Sequence, residues 1–341
     1  MLGKRFFTSW FFTIGCASDG VAVDLANGQV DAWQTAAALP TARANHCSAV
    51  VGDTLLVIGG NTKLGDNFVK TDEIHAGRVA DDGTITWSLA GKTPSPVTEC
   101  TATSDGRRIF ILDGLYDRES DARQVFTAEL DDTGLLGPLT SFATLPQIAI
   151  SSEAAVRNGT LLMMDTLLPN EGDKTITLRT PTSTATWTTD DWSIGFRAQA
   201  QYAFTDRFAY TIGGYKGDTG NPVTTDVFVA AIGSAGAIAP ARPTTALPMP
   251  VTFGEAVAVD DFLFVVGGRG QVLGAPGTTS VLAAEILDDG SLAPWQTLGA
   301  LPLGRTNHEL ALVGDYLVVA GGAVNGPGDA NVFVARVRFP Q

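Results

Sequence analysis

Short apolar runs of four to eight residues, broken by Gly, Asp and Asn, recur along this chain, and one kind of run returns at a nearly constant interval. The stretch Leu55 to Gly60 (LLVIGG) has five counterparts, which end at Gly114, Thr166, Gly214, Gly268 and Gly322. From Gly60 onward the successive intervals are 54, 52, 48, 54 and 54 residues, a period that marks a repeat architecture. The pattern around each run is kept as well. Leu39-Pro40, Arg43, His46, an apolar run to Val51, Gly52-Asp53 and Thr54 to Gly60 align without a gap on Leu301-Pro302, Arg305, His308, a run to Val313, Gly314-Asp315 and Tyr316 to Gly322.

Each unit continues through a polar loop into another β-rich run (Val125 to Leu130, Val227 to Ala231, Val281 to Leu287, Val332 to Val337). A turn such as Asp82-Gly83 or Asp289-Gly290 follows, then a short strand that often carries a tryptophan: Trp87, Trp187 or Trp295. Strands of this length between Gly/Asp/Asn turns are the hairpin signature, and four per unit make a meander. After the first fifteen residues no stretch shows a helical apolar period, so the fold class is all-β. Six meanders bury both faces of their sheets when set radially around an axis, which leaves only short edges. The expectation is therefore a six-bladed β-propeller in one domain, residues 30–341. Gly28 to Trp33 reads as the missing fourth strand of the last blade, closing the ring against the C-terminal run Val332 to Phe339. Val21 to Leu25, within a short tether at 17–29, reads as an extra strand outside that blade.

The motif LPxxRxxH, an apolar run, a turn, a strand ending in GG and a Trp in the last strand resembles the kelch repeat over roughly residues 30 to 340. Units one and six match best, and unit five keeps Leu247-Pro248, Gly267-Gly268 and Trp295. Unit two ends in Asp113-Gly114, unit three in Asp165-Thr166, and unit four has Ser193-Ile194 in place of LP while keeping Arg197. In kelch proteins with known partners, arginine at this repeat position can bind carboxylate-bearing ligands. The resemblance thus implicates Arg43, Arg197 and Arg305, with Asn45 and Asn307 beside them, since guanidinium forks suit carboxylates. The alternative is that these arginines brace loops by bonding backbone carbonyls and acidic neighbours. Tyr116 and Tyr215, just past the second strands, could stack on a sugar or peptide or pack locally.

In such a meander the loops between strands two and three open on the same side as the crossings between blades. These loops are long and chemically diverse (Asn61 to Lys70, Leu115 to Arg123, Leu167 to Lys174, Tyr215 to Thr224, Arg269 to Thr278, Ala323 to Asp329), whereas the opposite turns are tight. Function tends to sit on loops held by rigid strands, so this mouth face is the expected binding surface.

Composition narrows the partners. With 22 basic and 36 acidic side chains the formal charge is −14, which repels nucleic acid and anionic membrane surfaces. Lys4 and Arg5, the apolar run Phe6 to Ile14 and Gly15-Cys16-Ala17-Ser18 have the layout of an export signal over residues 1–16. Nine apolar residues are too few for a spanning helix, which needs about twenty. Thr13-Ile14-Gly15-Cys16 resembles a bacterial lipobox with Cys16 as the lipidated residue; cleavage after Ala17 is the alternative. The expected location is the periplasm, the outer membrane through a lipid anchor, or the medium, as a monomer. Disulfides persist in such compartments. Cys47 and Cys100 stand at the starts of innermost strands in neighbouring blades, either bridged or as two buried small hydrophobes.

No nucleophile–base pair or metal set assembles from the sequence, and no cofactor is implied. The copper oxidases built on kelch-like propellers need paired His and Tyr ligands, and three histidines (His46, His75, His308) do not supply them. The column after the histidines reads Cys47, Thr101, Glu153, Gln201, Glu255, Glu309, an acidic arc that could line the channel. Two readings follow: a protein that binds a carbohydrate, peptide or protein through its mouth face, or a sugar-modifying enzyme resembling the sialic-acid epimerases, with Glu99, Glu153, Glu309 and His308 as acid/base candidates.

Overall fold

The computed structural model describes residues 23–25, 28–64, 67–146, 152–164, 176–192, 194–195, 197–216, 222–270, 274–324, 326 and 328–338. Cys16 and the rest of the expected export signal, and the unit-three residue Thr166, lie outside these residues.

Six antiparallel sheets radiate from one axis. Their innermost strands are Cys47–Val51, Thr101–Ser104, Glu153–Arg157, Gln201–Phe204, Thr252–Val259 and Glu309–Val313, and each touches the next in a closed circle. The second strands, such as Thr54–Ile58, Thr160–Met164 and Phe208–Ile212, are buried along their whole length. A blade is covered on both faces by its neighbours, and this explains why these runs are continuously apolar instead of alternating. Six apolar cores result, one at each junction. Phe264, Val281, Leu317 and Phe333 join blades five and six, and Leu55, Val57, Val318 and Val332 join blades six and one.

The glycine pair has a physical cause at those junctions. Both residues take positive φ in blades one, four, five and six, for example +62° at Gly59 and +92° at Gly60. The second glycine donates its N–H to the next blade: Gly60 to the Val97 carbonyl at 2.8 Å, Gly214 to Val251 at 2.8 Å, Gly268 to Arg305 at 2.9 Å and Gly322 to Arg43 at 2.9 Å. A Cβ on Gly59 would sit 2.6 Å from the Val97 carbonyl oxygen. Side chains are excluded by contact as well as by backbone conformation.

The seam follows the same logic with one shift of register. Gln34–Thr35 pairs with Val334 and Phe333 of Val332–Arg338, completing blade six, while Gly28–Val30 pairs further along the same strand at Val337 and Arg338. The expected closing strand at Gly28 to Trp33 is thus replaced by two short pieces, because the chain leaves the ladder after Asp31, whose N–H still bonds the Arg336 carbonyl at 2.8 Å. Val23–Leu25 pairs outside Gly28–Val30.

On the opposite face the hairpins between strands three and four use an Asx turn. The Asp131 carboxylate accepts from the N–H groups of Thr133 and Leu135 at 2.9 and 3.0 Å and from the Thr133 hydroxyl at 2.6 Å, and Asp82 and Asp289 repeat the device. Asp131→Ala is expected to lower the urea midpoint slightly, through loss of these local bonds. An unchanged urea midpoint would show that water replaces them at no cost.

Blade one departs from the others. Its third and fourth strands, Asn67–Val79 and Ile85–Thr98, overrun the blade on the mouth face, where Asn61–Leu64 and Leu115–Tyr116 pair with them. The resulting wing carries exposed Leu64, Phe68 and Val69.

Candidate functional site

The mouth is framed by a belt of main-chain bonds. Asn45, Glu99, Gln199, Phe253 and Asn307 occupy equivalent positions just before the innermost strands, all with φ between +52° and +56°. Four hydrogen bonds link them around the axis: Asn45 N–H to the Asn307 carbonyl (3.1 Å), Glu99 to Asn45 (2.7 Å), Phe253 to Gln199 (3.4 Å) and Asn307 to Phe253 (3.0 Å). The left-handed conformation turns the amide sideways toward the neighbouring blade. Asn tolerates it well, whereas Phe and Glu are strained there.

The structure corrects the sequence-based placement of the binding arginines. Arg43, Arg197 and Arg305 are 1%, 5% and 0% exposed. Arg43 donates to the Gly59 carbonyl at 2.9 Å and pairs with Glu73 at 3.3 Å; Arg305 donates to the Gly321 carbonyl and pairs with Asp329 at 3.3 Å; Arg197 pairs with Asp226 at 3.2 Å. Each guanidinium ties its crossing segment to the third strand of its own blade or to the residues just before it. Tyr116 and Tyr215 are buried too, packed on Phe126 and Phe253 with ring centroids 6.1 Å apart in both pairs. Of the seven expected binding residues, Asn45 and Asn307 line the mouth, joined by an amide–amide hydrogen bond. Cys47 and Cys100 form a disulfide, Cα to Cα 5.4 Å, between the innermost strands of blades one and two.

Below the belt, the axial channel is lined by Glu153, Glu255 and Glu309. Burial pushes all three carboxyls up, and mutual repulsion adds to the rise for Glu255 and Glu309. The Ser48 hydroxyl donates to Glu309 at 2.8 Å. Burial also raises Glu99, an effect that Lys70 partly offsets. His46 and His308 behave oppositely: burial, reinforced by Arg43 and Arg305, lowers them to about 3, so both imidazoles are neutral. Their rings fill the space under Gly321 and Gly267, within 2.7 and 2.6 Å of where a Cβ would stand. That packing gives both rings a structural role; both also line the axial pocket. Among the described residues no group of three or more His, Cys, Asp or Glu is placed to hold a metal ion.

Size separates two parts of the mouth. The axial pocket measures about 100 Å³, room for a handful of waters. Beside it, and sharing Asn45 and Asn307, a cleft of about 520 Å³ is bounded by Asn61 and Phe68 of the wing, Arg269, and the blade-six residues Thr306 and Ala323. That volume falls in the range of small-molecule sites. Arg269 lies over the Phe253 ring, 4.3 Å from its centroid. A groove of about 630 Å³ also runs along the seam on the opposite face, but its arginines are ion-paired, Arg336 with Asp315 and Arg338 with Asp31.

No protein-family model and no curated protein matches the chain. Among solved structures it is similar to that of YjhT, with a TM-score of 0.65 at 16% identity, covering 86% of this chain and 95% of that one. The likeness shows the fold: the chain is a six-bladed β-propeller.

Proposed function

We propose that this propeller is an exported, kelch-type binding or scaffold protein that holds a carbohydrate, peptide or protein against its mouth face, in the cleft between the blade-one wing and Arg269. The observation that carries the reading is the cleft itself. Its roughly fivefold larger volume than the axial pocket makes it the part of the mouth able to enclose a ligand, and it combines neutral amides, an aromatic edge and one cation. The Cys47–Cys100 disulfide supports export, since such bonds persist in oxidising compartments, and a lipid anchor at Cys16 is the proposed membrane attachment. The test is a glycan and peptide array probed with the mature protein and with the Asn45→Ala/Asn307→Ala double variant. Signal lost in the variant supports the cleft, and signal unchanged by it rejects this site.

A second reading has one observation behind it. Three channel carboxyls with raised proton affinity beside a polar mouth are the kind of groups enzymes use for proton transfer. This favours a sugar-modifying activity resembling the sialic-acid mutarotases. Anomeric exchange of reducing acidic sugars, followed by NMR, is expected to accelerate with the wild-type protein and to slow in Glu255→Gln; a rate equal to that in buffer would eliminate the reading.

A further inference from the structure

We infer that the ligand of the mouth cleft carries a carboxylate and that Arg269 receives it; this deepens the binding role proposed above and rests on it. The first observation concerns charge. On the mouth face, each of the three arginines of the repeat column has its own acid, in the pairs Arg43–Glu73, Arg197–Asp226 and Arg305–Asp329. Arg269 has neither a hydrogen bond nor an ion pair among the described residues, and its Nε is buried without a partner. A half-buried cation with no counter-ion among the described residues is out of place on a chain of net charge −14, because a desolvated charge is costly unless paired.

Blade five explains why this arginine is free. Its repeat-column residue is Val251, and the position that is Glu73 in blade one and Asp226 in blade four is Ser280, recognised by the same bond from the first glycine: Gly59 to Glu73, Gly213 to Asp226, Gly267 to Ser280. Blade five has thus lost both members of the internal brace, while Arg269 emerges from the end of strand two, directly after Gly267-Gly268. It takes no part in that brace.

Geometry then favours a carboxylate. The guanidinium carbon lies over Phe253, 4.3 Å from the ring centroid, and Phe253 is itself met edge-on by Tyr215 at 6.1 Å. The contact restrains the guanidinium, whose fork suits planar, bidentate acceptors. One cation offsets one negative charge, and Glu99 across the mouth opposes a dianion. Around the fork stand the amides of Asn45, Asn61 and Asn307, able to bond hydroxyls or peptide groups, and Phe68, 63% exposed, which offers an apolar face. An acidic sugar ring and the C-terminus of a peptide share this chemistry.

The two sources are distinguished by calorimetric titration of the mature protein with methyl glucuronide and its methyl ester, and with an acetylated Phe-Ala dipeptide as free acid and as amide. At least one free acid is expected to bind. Its affinity should fall about tenfold or more in Arg269→Gln, the loss of one charged hydrogen-bonding partner, and its ester or amide should bind wild type no better than the acid binds the variant. Arg269→Lys, which keeps the charge, should retain part of the affinity and guards against misfolding of the Gln variant. The inference is overturned if neutral and acidic forms bind alike, if Arg269→Gln binds the acid as wild type does, or if no acid binds at millimolar concentration. Should the array yield neutral ligands that depend on Asn45 and Asn307, the carboxylate assignment falls and the cleft stands. Should it yield none and no acid bind, both fall.

Discussion

Removing the Cys47–Cys100 disulfide is expected to lower stability by about 4 kcal/mol, the chain-entropy value for a loop of this size. The bridge spans 53 residues, one whole repeat, so the reduced unfolded chain gains the freedom of an entire blade. The bond also joins two innermost strands at the mouth, next to the belt link from Glu99 to Asn45. Loosening there affects the binding face directly. Urea unfolding of the Cys47→Ala/Cys100→Ala variant, and of wild type with reductant, should show the same lowered midpoint. Coincident curves for oxidised wild type and the variant would mean that blade packing alone holds this junction.

The number and order of blades could be read from the sequence because the glycine pairs report a contact that leaves little room for a side chain, as at Gly59 against Val97, and blade two alone among the described blades puts Asp113 at the first position. The arginine column was equally visible, but its role was not. The acids that neutralise Arg43, Arg197 and Arg305 lie 30, 29 and 24 residues away, beyond loops of different length. Without the fold, a guanidinium braced inside its blade and one offered to a ligand look the same. Tyr116 and Tyr215 misled for a related reason: pairing continues past the glycines, so residues that resemble loop aromatics enter short strands and turn inward. Arg269 went unnoticed because it stands outside the column. The signal was an absence: Val251 and Ser280 occupy the two positions where blades one and four carry an arginine and an acid.

The channel acids give the second large effect. Glu309 is pushed up to about 8 from an ordinary 4.5, chiefly by burial. A carboxyl with a raised folded value binds its proton more tightly when folded. Its contribution is therefore complete below the unfolded value and is lost as pH rises through the folded one. Stability is expected to decline from acid toward mildly alkaline pH, by on the order of 2 kcal/mol for this group once its contact with channel water is allowed for. Glu309→Gln keeps an acceptor for Ser48 and removes the charge. It should match wild type in acid, exceed it above the folded value, and flatten the profile. Thermal unfolding across that range checks the sign, and a wild type that gains stability on alkalinisation would refute it.

The run of amide-to-carbonyl links from Glu99 through Asn45, Asn307 and Phe253 to Gln199 asks nothing of the side chains beyond tolerance of one backbone twist. The scaffold therefore decouples its own closure from the chemistry it presents. Drift at these five places can repaint the orifice, exchanging amide for acid or ring, while the frame keeps its shape, and that makes the molecule a natural starting point for grafting new specificities onto an unaltered body.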